Sequence, residues 1–482
     1  MNERLQPNME NSATKDSLVV FQTSQGSEVR AIVLRLTRHL AVFEMYTPSI
    51  ILQRSEVLQD FQILLNDRLV YAGRAVITNL VSTATVISAE AALEGGWRDV
   101  NLFFLENPEK RLRMDFEAFM QASQQAFHIA PEFKIAVADM QLMLMEVQRW
   151  LEQVELGVRS QPTGDRLQLE RSAIHALEAS VMPLFKGLFE RFEAVSQQIA
   201  GDLQPSYGAY VKRQLHPWVL CAPFMYRAFH KPLGYAGDYE MVNMMVRDPY
   251  EGSSIFAKML NTYFLSTPPV VAHRNRITRL TELLVGETCR MVQRSLPARV
   301  FSLGCGPAVE VQNFLSASEL SQQAQFTLLD FNDETLMYTD KILAELKRKH
   351  QRRTPVELIK KSVAQLLKEA ARPLPMLSAA RYDVVCCAGL FDYLANHVCE
   401  RLMNALYELL APGGLLVATN IDPSNSARTW MEYSVGWHLI HRNHKQLVAL
   451  YPRRAPLDAC RIRAEPSGLN NFIEVRKPED AN

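Results

Sequence analysis

Between Ser17 and about Leu105 the apolar residues come in short runs. Leu18–Phe21, Val29–Leu36, Leu40–Tyr46, Phe61–Leu65, Leu69–Thr78 and Ala84–Ala89 are rich in Val, Ile, Leu and Phe, and polar or turn residues separate them. This spacing predicts short strands in a small antiparallel β-barrel. From about Pro108 to Glu287 the period becomes helical. Phe133, Val137, Met140, Leu144, Val147, Leu151 and Val154 lie alternately four and three apart, a heptad seam. Pro131 suits a first helical turn, and Ser160–Asp165, with a Pro and a Gly, reads as a loop. Ile174, Leu177, Val181, Leu184 and Leu188 repeat the seam, and Pro183 predicts a kink in it. Such a seam serves an intrachain bundle or a homodimer interface, and both stay open.

From Arg299 apolar runs alternate with helical stretches. Val300–Leu303, Phe326–Leu329, Tyr382–Cys387 and Leu415–Thr419 read as strands, and helix-length stretches follow the first three. That alternation predicts a doubly wound parallel sheet. The expected fold is multidomain. A polar tail covers 1–16, a β-barrel 17–107, a helical region with a lid 108–290, and an α/β Rossmann-like domain 291–482.

Composition narrows the function. A chain of 482 residues exceeds one ordinary core, so two or three domains are expected. Lys+Arg and Asp+Glu are 52 each, leaving no broad basic field for nucleic acid. The local exception, Lys347–His350 with Arg352 and Arg353, reads as a solvated helix end. The start, MNERLQPNMENSATKDS, lacks the apolar core of a secretory signal, and no apolar stretch is long enough to span a bilayer. Seven cysteines without zinc spacing predict no metal site and suit a reducing cytoplasm.

The first strand of the C-terminal domain runs into Gly304-Cys305-Gly306-Pro307. Two glycines there allow a tight turn and close approach of a ligand, and the following helix offers free N–H groups. Asp330 ends the next strand, 24 residues beyond Gly306, where an acid can hold ribose hydroxyls. Val309 stands where a dinucleotide fingerprint needs its third Gly. Leu409–Leu415 carries a Pro-Gly-Gly turn leading into a strand. The loop and this turn resemble those of class I S-adenosylmethionine-dependent methyltransferases, over roughly the last 185 residues. The resemblance implies S-adenosylmethionine as cofactor. Gly304 and Gly306 would line its methionine moiety, Asp330 its ribose, and Phe331 its adenine. Ser362 and Val363, after a third strand Val356–Ile359, would lie near the adenine. Cys387 and Ala388 would lie beside the methyl.

Acceptor residues are sought in loops at the carboxyl ends of strands. Asp392 and Tyr393 follow the fourth strand. After the fifth, a helix is expected to Arg442. It would carry Trp430, Tyr433, Trp437 and His441 on one face and Arg428, Glu432, His438 and Arg442 on adjoining faces. An apolar wall with cations suits an amphiphilic carboxylate. Lys231–Glu240 crowds two glycines, two tyrosines and two acids into one segment and is expected to form a lid with Tyr235 as a contact. If the acceptor were an amine or hydroxyl, Asp392 or His441 would serve as base.

Two further resemblances complete the reading. The barrel runs resemble a degenerate PilZ-like domain. Its turn Arg35–Leu40 lacks the acid or amide and the Gly of the cyclic di-GMP motif, and no Arg-x-x-x-Arg precedes it, so cyclic di-GMP binding is not expected. The strings Gly234–Met241, Ala388–Leu394 and Met431–Tyr433 with Trp437–Arg442 resemble the bacterial 3-hydroxy fatty acid methyl ester synthase group. That group implies 3-hydroxypalmitate or 3-hydroxymyristate as acceptor, free or carrier-linked, and a quorum-sensing product. Gly436 and His441 depart from its pattern, which has Asp and Tyr there. The rival expectations are a regulatory ligand-binding protein with a methyltransferase-like fold, or a methyltransferase for another small acceptor.

Overall fold

The computed structural model describes residues 17–45, 50–65, 68–82, 87–98, 113, 117, 129–162, 164–200, 203–370 and 381–479. The tail 1–16, the expected start of the helical region near Pro108, and Tyr46 and 84–86 at the ends of expected strands lie outside them.

The described residues from Ser17 to Arg98, apart from 51–55, form one compact unit. Its strands are β1 (Ser17–Gln22), β2 (Glu28–Leu36), β3 (Leu40–Met45), β4 (Val57–Leu65), β5 (Arg68–Ala72), β6 (Arg74–Ser82) and β7 (Ile87–Glu94). They pair in the order β1-β2-β3-β7-β6-β4-β5, and an extra β1–β4 pairing closes six of them into an antiparallel barrel, with β5 attached to β4. The period-two pattern accounts for the closure. In β2, Val29, Ala31 and Val33 are buried between exposed neighbours, so one face of each strand turns inward. Phe21, Phe43 and Phe61 meet inside, with ring centroids 5.4–6.1 Å apart. The expected run Leu69–Thr78 is two strands. They break at Gly73, where a Cβ would sit 3.0 Å from Gly96 Cα and from the Tyr71 hydroxyl.

Residues 51–55 and those from Ile129 onward form the second unit, which contains both the helical region and the Rossmann-like sheet. Its helices before the sheet are α1 (Pro131–Arg159), α2 (Arg166–Ser196), α3 (Gln204–Val219), α4 (Pro223–His230), α5 (Tyr239–Val246), α6 (Ile255–Leu265) and α7 (Pro268–Val292). The heptad seam faces inward. Phe133, Val137, Met140, Leu144 and Leu151 are buried where α1 packs on α2, α3 and α6. The seam is therefore core, because its apolar stripe is covered within the chain. A different face of α1 carries the exposed Ile135, Leu142, Trp150 and Leu156. Helix α2 continues through Pro183.

The sheet that follows contains β8 (Ala298–Leu303), β9 (Ala324–Asp330), β10 (Val356–Lys360), β11 (Tyr382–Cys387), β12 (Leu410–Ile421), β13 (Cys460–Ala464) and β14 (Asn470–Arg476). Between its strands run α8 (Val309–Ala317), α9 (Asp333–Lys349), α10 (Val363–Ala370), α11 (Asn396–Glu408), α12 (Arg428–Val435) and α13 (His444–Val448). The order is β10-β9-β8-β11-β12-β14-β13, parallel from β10 to β12, with β14 and β13 antiparallel at one edge. Strand order reverses between β8 and β11, so the ligand crevice belongs at their carboxyl ends. The Pro-Gly-Gly turn lies inside β12 as an irregularity. Pairing with β11 jumps there from Tyr382↔Leu410 to Val384↔Leu415, around Gly413 at φ +73°.

Candidate functional site

The loop after β8 turns through left-handed backbone three times in five residues, at Gly304 (φ 65°), Gly306 (φ 51°) and Ala308 (φ 51°). Glycine suits the first two for that conformation, and a Cβ on Gly306 would meet nothing within 4 Å. The loop is tied to β9. The Cys305 N–H donates to Leu329 O at 3.0 Å, and the Gly306 N–H donates to Asp330 Oδ2 at 3.1 Å. Asp330 Oδ1 accepts from the Asn332 N–H at 3.0 Å. The carboxyl is 7% exposed, and burial raises its pKa while these N–H donors lower it. Gly304, Gly306 and Asp330 thus meet at one place, at the carboxyl ends of β8 and β9.

The segment Lys231–Asp238 packs over the same end. The Tyr235 ring stands 5.1 Å from that of Phe331, and its hydroxyl lies 3.5 Å from Thr335 Oγ1. Burial and then the Asp330 charge push the Tyr235 phenol up, so it stays neutral. Tyr235 therefore sits beside Phe331 and Thr335, at the carboxyl end of β9. The segment is held at both ends. Asp238 caps α5 and binds Arg227 Nε at 2.9 Å, and Lys231 Nζ donates to Val435 O at 2.6 Å. Ser362 caps α10, accepting from the Gln365 N–H at 3.3 Å, and Val363 is buried in its first turn.

Ala388 and Gly389 follow β11. The Gly389 N–H donates to Thr419 Oγ1 at 3.0 Å, and a Cβ on Gly389 would lie 2.8 Å from an Arg276 nitrogen. Arg276, on α7, was not singled out by sequence. It is 8% exposed, donates to His273 Nδ1 at 2.9 Å and lies 3.8 Å from Asp392 Oδ2. Glu310, in the first turn of α8, interacts electrostatically with it, and burial raises Glu310 to about 7. One signal was available. On α7 the buried positions Val270, Ile277, Leu280 and Leu284 form an apolar face, and Arg276 interrupts it.

The acceptor side differs from expectation in its helix. Helix α12 stops at Val435, where Gly436 at φ 58° ends it and the Trp437 N–H donates back to Met431 O at 2.9 Å. Trp437, His438, His441 and Arg442 therefore lie in a loop and share no helix face with Trp430. Trp430 packs edge-on against Phe189 and Phe192, at 4.6 and 5.4 Å, and Tyr433 lies 6.4 Å from Phe192, so this part of the stripe is core. Trp437 Nε1 donates to the Tyr393 hydroxyl at 3.0 Å. Glu193 holds the start of α12 by accepting from the Trp430 N–H at 2.7 Å.

Arg442 is one of the cations expected beside an amphiphilic carboxylate. It is 1% exposed, and its donors reach Asn396 Oδ1 (2.9 Å), Phe391 O (2.7 Å), Asn420 Oδ1 (2.6 Å) and Leu394 O (2.6 Å). Its guanidinium clamps the 391–394 turn to the end of β12, because buried carbonyls there need donors. His438 is held well below the usual histidine range by burial and then by Lys231 and Arg54, so it is neutral and supplies no cation. Arg428 stays near the surface in an ion pair with Glu432 at 2.8 Å. Asp392 is buried, accepts from the Ile421 N–H at 2.7 Å and is raised to about 6 by burial, against the pull of Arg276. Among the described residues no His/Cys/Asp/Glu group could hold a metal ion, and no helix is long and apolar enough to cross a membrane. A hollow of about 500 Å³ near Lys347, Arg353 and Thr354 lies at the amino ends of β9 and β10, away from this site.

Residues 301–416 match the family model described as a methyltransferase domain. Similar solved structures include a possible exported protein of Bordetella parapertussis, 19% identical, covering 53% of this chain and 86% of that one at a TM-score of 0.38. A magnesium protoporphyrin IX methyltransferase of Synechocystis, solved with S-adenosylhomocysteine, is 11% identical over 43% of this chain and 84% of that one, at 0.31. An N-methyltransferase of Bradyrhizobium japonicum, also solved with S-adenosylhomocysteine, is 13% identical over 50% and 98%, at 0.30. No curated protein matches. Residues 301–416 carry a methyltransferase domain, and S-adenosylmethionine is the cofactor that this match, together with the Gly304–Gly306 loop closed on Asp330, supports.

Proposed function

We propose that this chain forms the methyl ester of a medium- or long-chain 3-hydroxy fatty acid, 3-hydroxypalmitate or 3-hydroxymyristate, free or carrier-linked. The observation that carries the reading is the methyltransferase-domain match around a glycine loop hydrogen-bonded to Asp330. S-adenosylmethionine supplies, when bound, an electrophilic methyl on a sulfonium. An acceptor carboxylate oxygen attacks that carbon, the carbon–sulfur bond breaks and its electron pair goes to sulfur. The products are the ester and S-adenosylhomocysteine. A carboxylate with an ordinary pKa of about 4 to 5 is already ionised near neutrality and needs no base. What the protein supplies is alignment and exclusion of water. Arg428 supports this reading as the acceptor-side cation, since a surface ion pair such as that with Glu432 is weak and exchangeable. The likeness to the 3-hydroxy fatty acid methyl ester synthase group selects the 3-hydroxy acid and its signalling role. The barrel is read as a PilZ-like interaction module that does not bind cyclic di-GMP, and the chain as cytoplasmic.

The test supplies purified full chain with labelled S-adenosylmethionine and either 3-hydroxy acid. Labelled ester should appear in the organic extract. Label reaching only protein or nucleobases would end the substrate reading and leave the methyltransferase reading intact. One feature favours a second reading, methyl transfer to a hydroxyl or amine: burial raises the Asp392 carboxyl, which follows β11, to about 6, toward the range of a base. A rate that needs a group deprotonated near pH 6 would favour it. A carboxylate acceptor predicts no such limb.

A further inference from the structure

Among the described residues of the second unit, two arginines are buried, in contrasting states. Arg442 makes four hydrogen bonds to fixed acceptors. Arg276, 8% exposed, makes its hydrogen bonds to His273, the shortest at 2.9 Å, and the nearest carboxylate oxygen, Asp392 Oδ2, stays at 3.8 Å, beyond hydrogen-bond reach. A guanidinium has five N–H donors, and burying them without acceptors is costly. Asp392 does not turn fully to it, since its other oxygen accepts from the Ile421 N–H. Helix α7 places this guanidinium against Gly389, at the carboxyl end of β11, where a Cβ would lie 2.8 Å from its nearer nitrogen and the backbone takes φ +83°. Glu310 approaches from the first turn of α8, directly after the glycine loop. A cation with donors to spare and a carboxylate thus flank the point where strand order reverses.

We propose that Arg276 receives the α-carboxylate of the cofactor's amino-acid end and Glu310 its α-ammonium, so that the site selects a zwitterion. The assignment rests on the reading that S-adenosylmethionine binds at the Gly304–Gly306 loop. It accounts for the unused donors, because a carboxylate can accept two parallel N–H bonds from a guanidinium. It also accounts for Gly389, which opens the approach. Arg276 and Glu310 are then positioning residues that fix the methionine end so that the methyl faces the acceptor.

The test compares two ligands on the full-length protein by calorimetry: S-adenosylmethionine and its decarboxylated form, which keeps the sulfonium, the nucleoside and the amine. Wild type should bind the first at least about tenfold more tightly, the factor that one lost charged hydrogen-bond pair of about 1.4 kcal/mol represents. Arg276→Gln should lose that preference while binding the decarboxylated ligand as wild type does, and Arg276→Lys should regain part of it. Glu310→Gln should weaken both ligands alike, since both carry the ammonium. Equal affinity of wild type for the two ligands overturns the assignment without any variant. So does an Arg276→Gln loss that is the same for both. Failure of wild type to bind either ligand overturns the cofactor reading and this assignment with it.

Discussion

At the scale of single residues, burial decides what each charged side chain can do. Arg442 illustrates this. Its charge is enclosed by two asparagine oxygens and two carbonyls, so Arg442→Ala is expected to act through stability. It orphans three buried acceptors, on Phe391, Leu394 and Asn420, for a loss of roughly 3–5 kcal/mol measured by denaturant unfolding. A variant as stable as wild type with only acceptor affinity lost would instead place Arg442 in the acceptor site. The histidines and acids have opposite effects on pH dependence. His441 falls from 6.5 to about 4, mainly by burial and then by Arg428. Between those values the unfolded chain binds more protons than the folded one, so this group makes stability rise with pH across that window. Asp392 rises from 3.8 to about 6, mainly by burial. There the folded chain holds the extra proton, and stability falls as pH rises from about 4 to 6. His441→Gln should therefore flatten the rising component of a Tm-against-pH series and Asp392→Asn the falling one. A series unchanged in both variants would contradict the burial of these groups.

At the scale of elements, a residue's period along the chain and its burial must be read together. On α1, Leu144 is fully buried and Leu142 is 56% exposed, although both are leucines two positions apart. Leu144→Ala should cost about 2–5 kcal/mol and Leu142→Ala less than about 0.5 kcal/mol in chemical denaturation. Similar costs would mean that the exposed face of α1 is covered in solution. Helix α12 ends where Gly436 turns left-handed. Gly436→Ala should destabilise by about 1 kcal/mol, because an L side chain resists that conformation. An unchanged Tm would show that another residue stops the helix. The periodic apolar face of α7 contains Arg276, whose partners lie on segments far away in sequence, so periodicity marks the residue as unusual without saying what it meets.

At the scale of the whole molecule, the two compact units predict more than one calorimetric unfolding step. S-adenosylmethionine at 100 times its dissociation constant should stabilise the unit containing the glycine loop by about 2.7 kcal/mol. The transition of the barrel should not move, and a shift confined to it would remove the site from the loop. Cyclic di-GMP should move neither. The order of elements, the parallel sheet, the barrel strands and the cofactor loop were legible along the chain. Each depends on local periodicity or on a short backbone constraint such as Gly304 and Gly306 leading from a strand into a helix. The β13–β14 hairpin and the end of α12 at Gly436 were not legible along the chain. The acceptor side was least legible. There, the tertiary structure alone decided that Arg442 is a buried clamp, that Trp430 and Tyr433 lie in the core and that Arg276 meets Asp392. The physical reason is that solvation and hydrogen-bond partners set the state of a charged or aromatic group. The partners of these groups come from segments tens to more than a hundred residues away, which only the folded chain brings together.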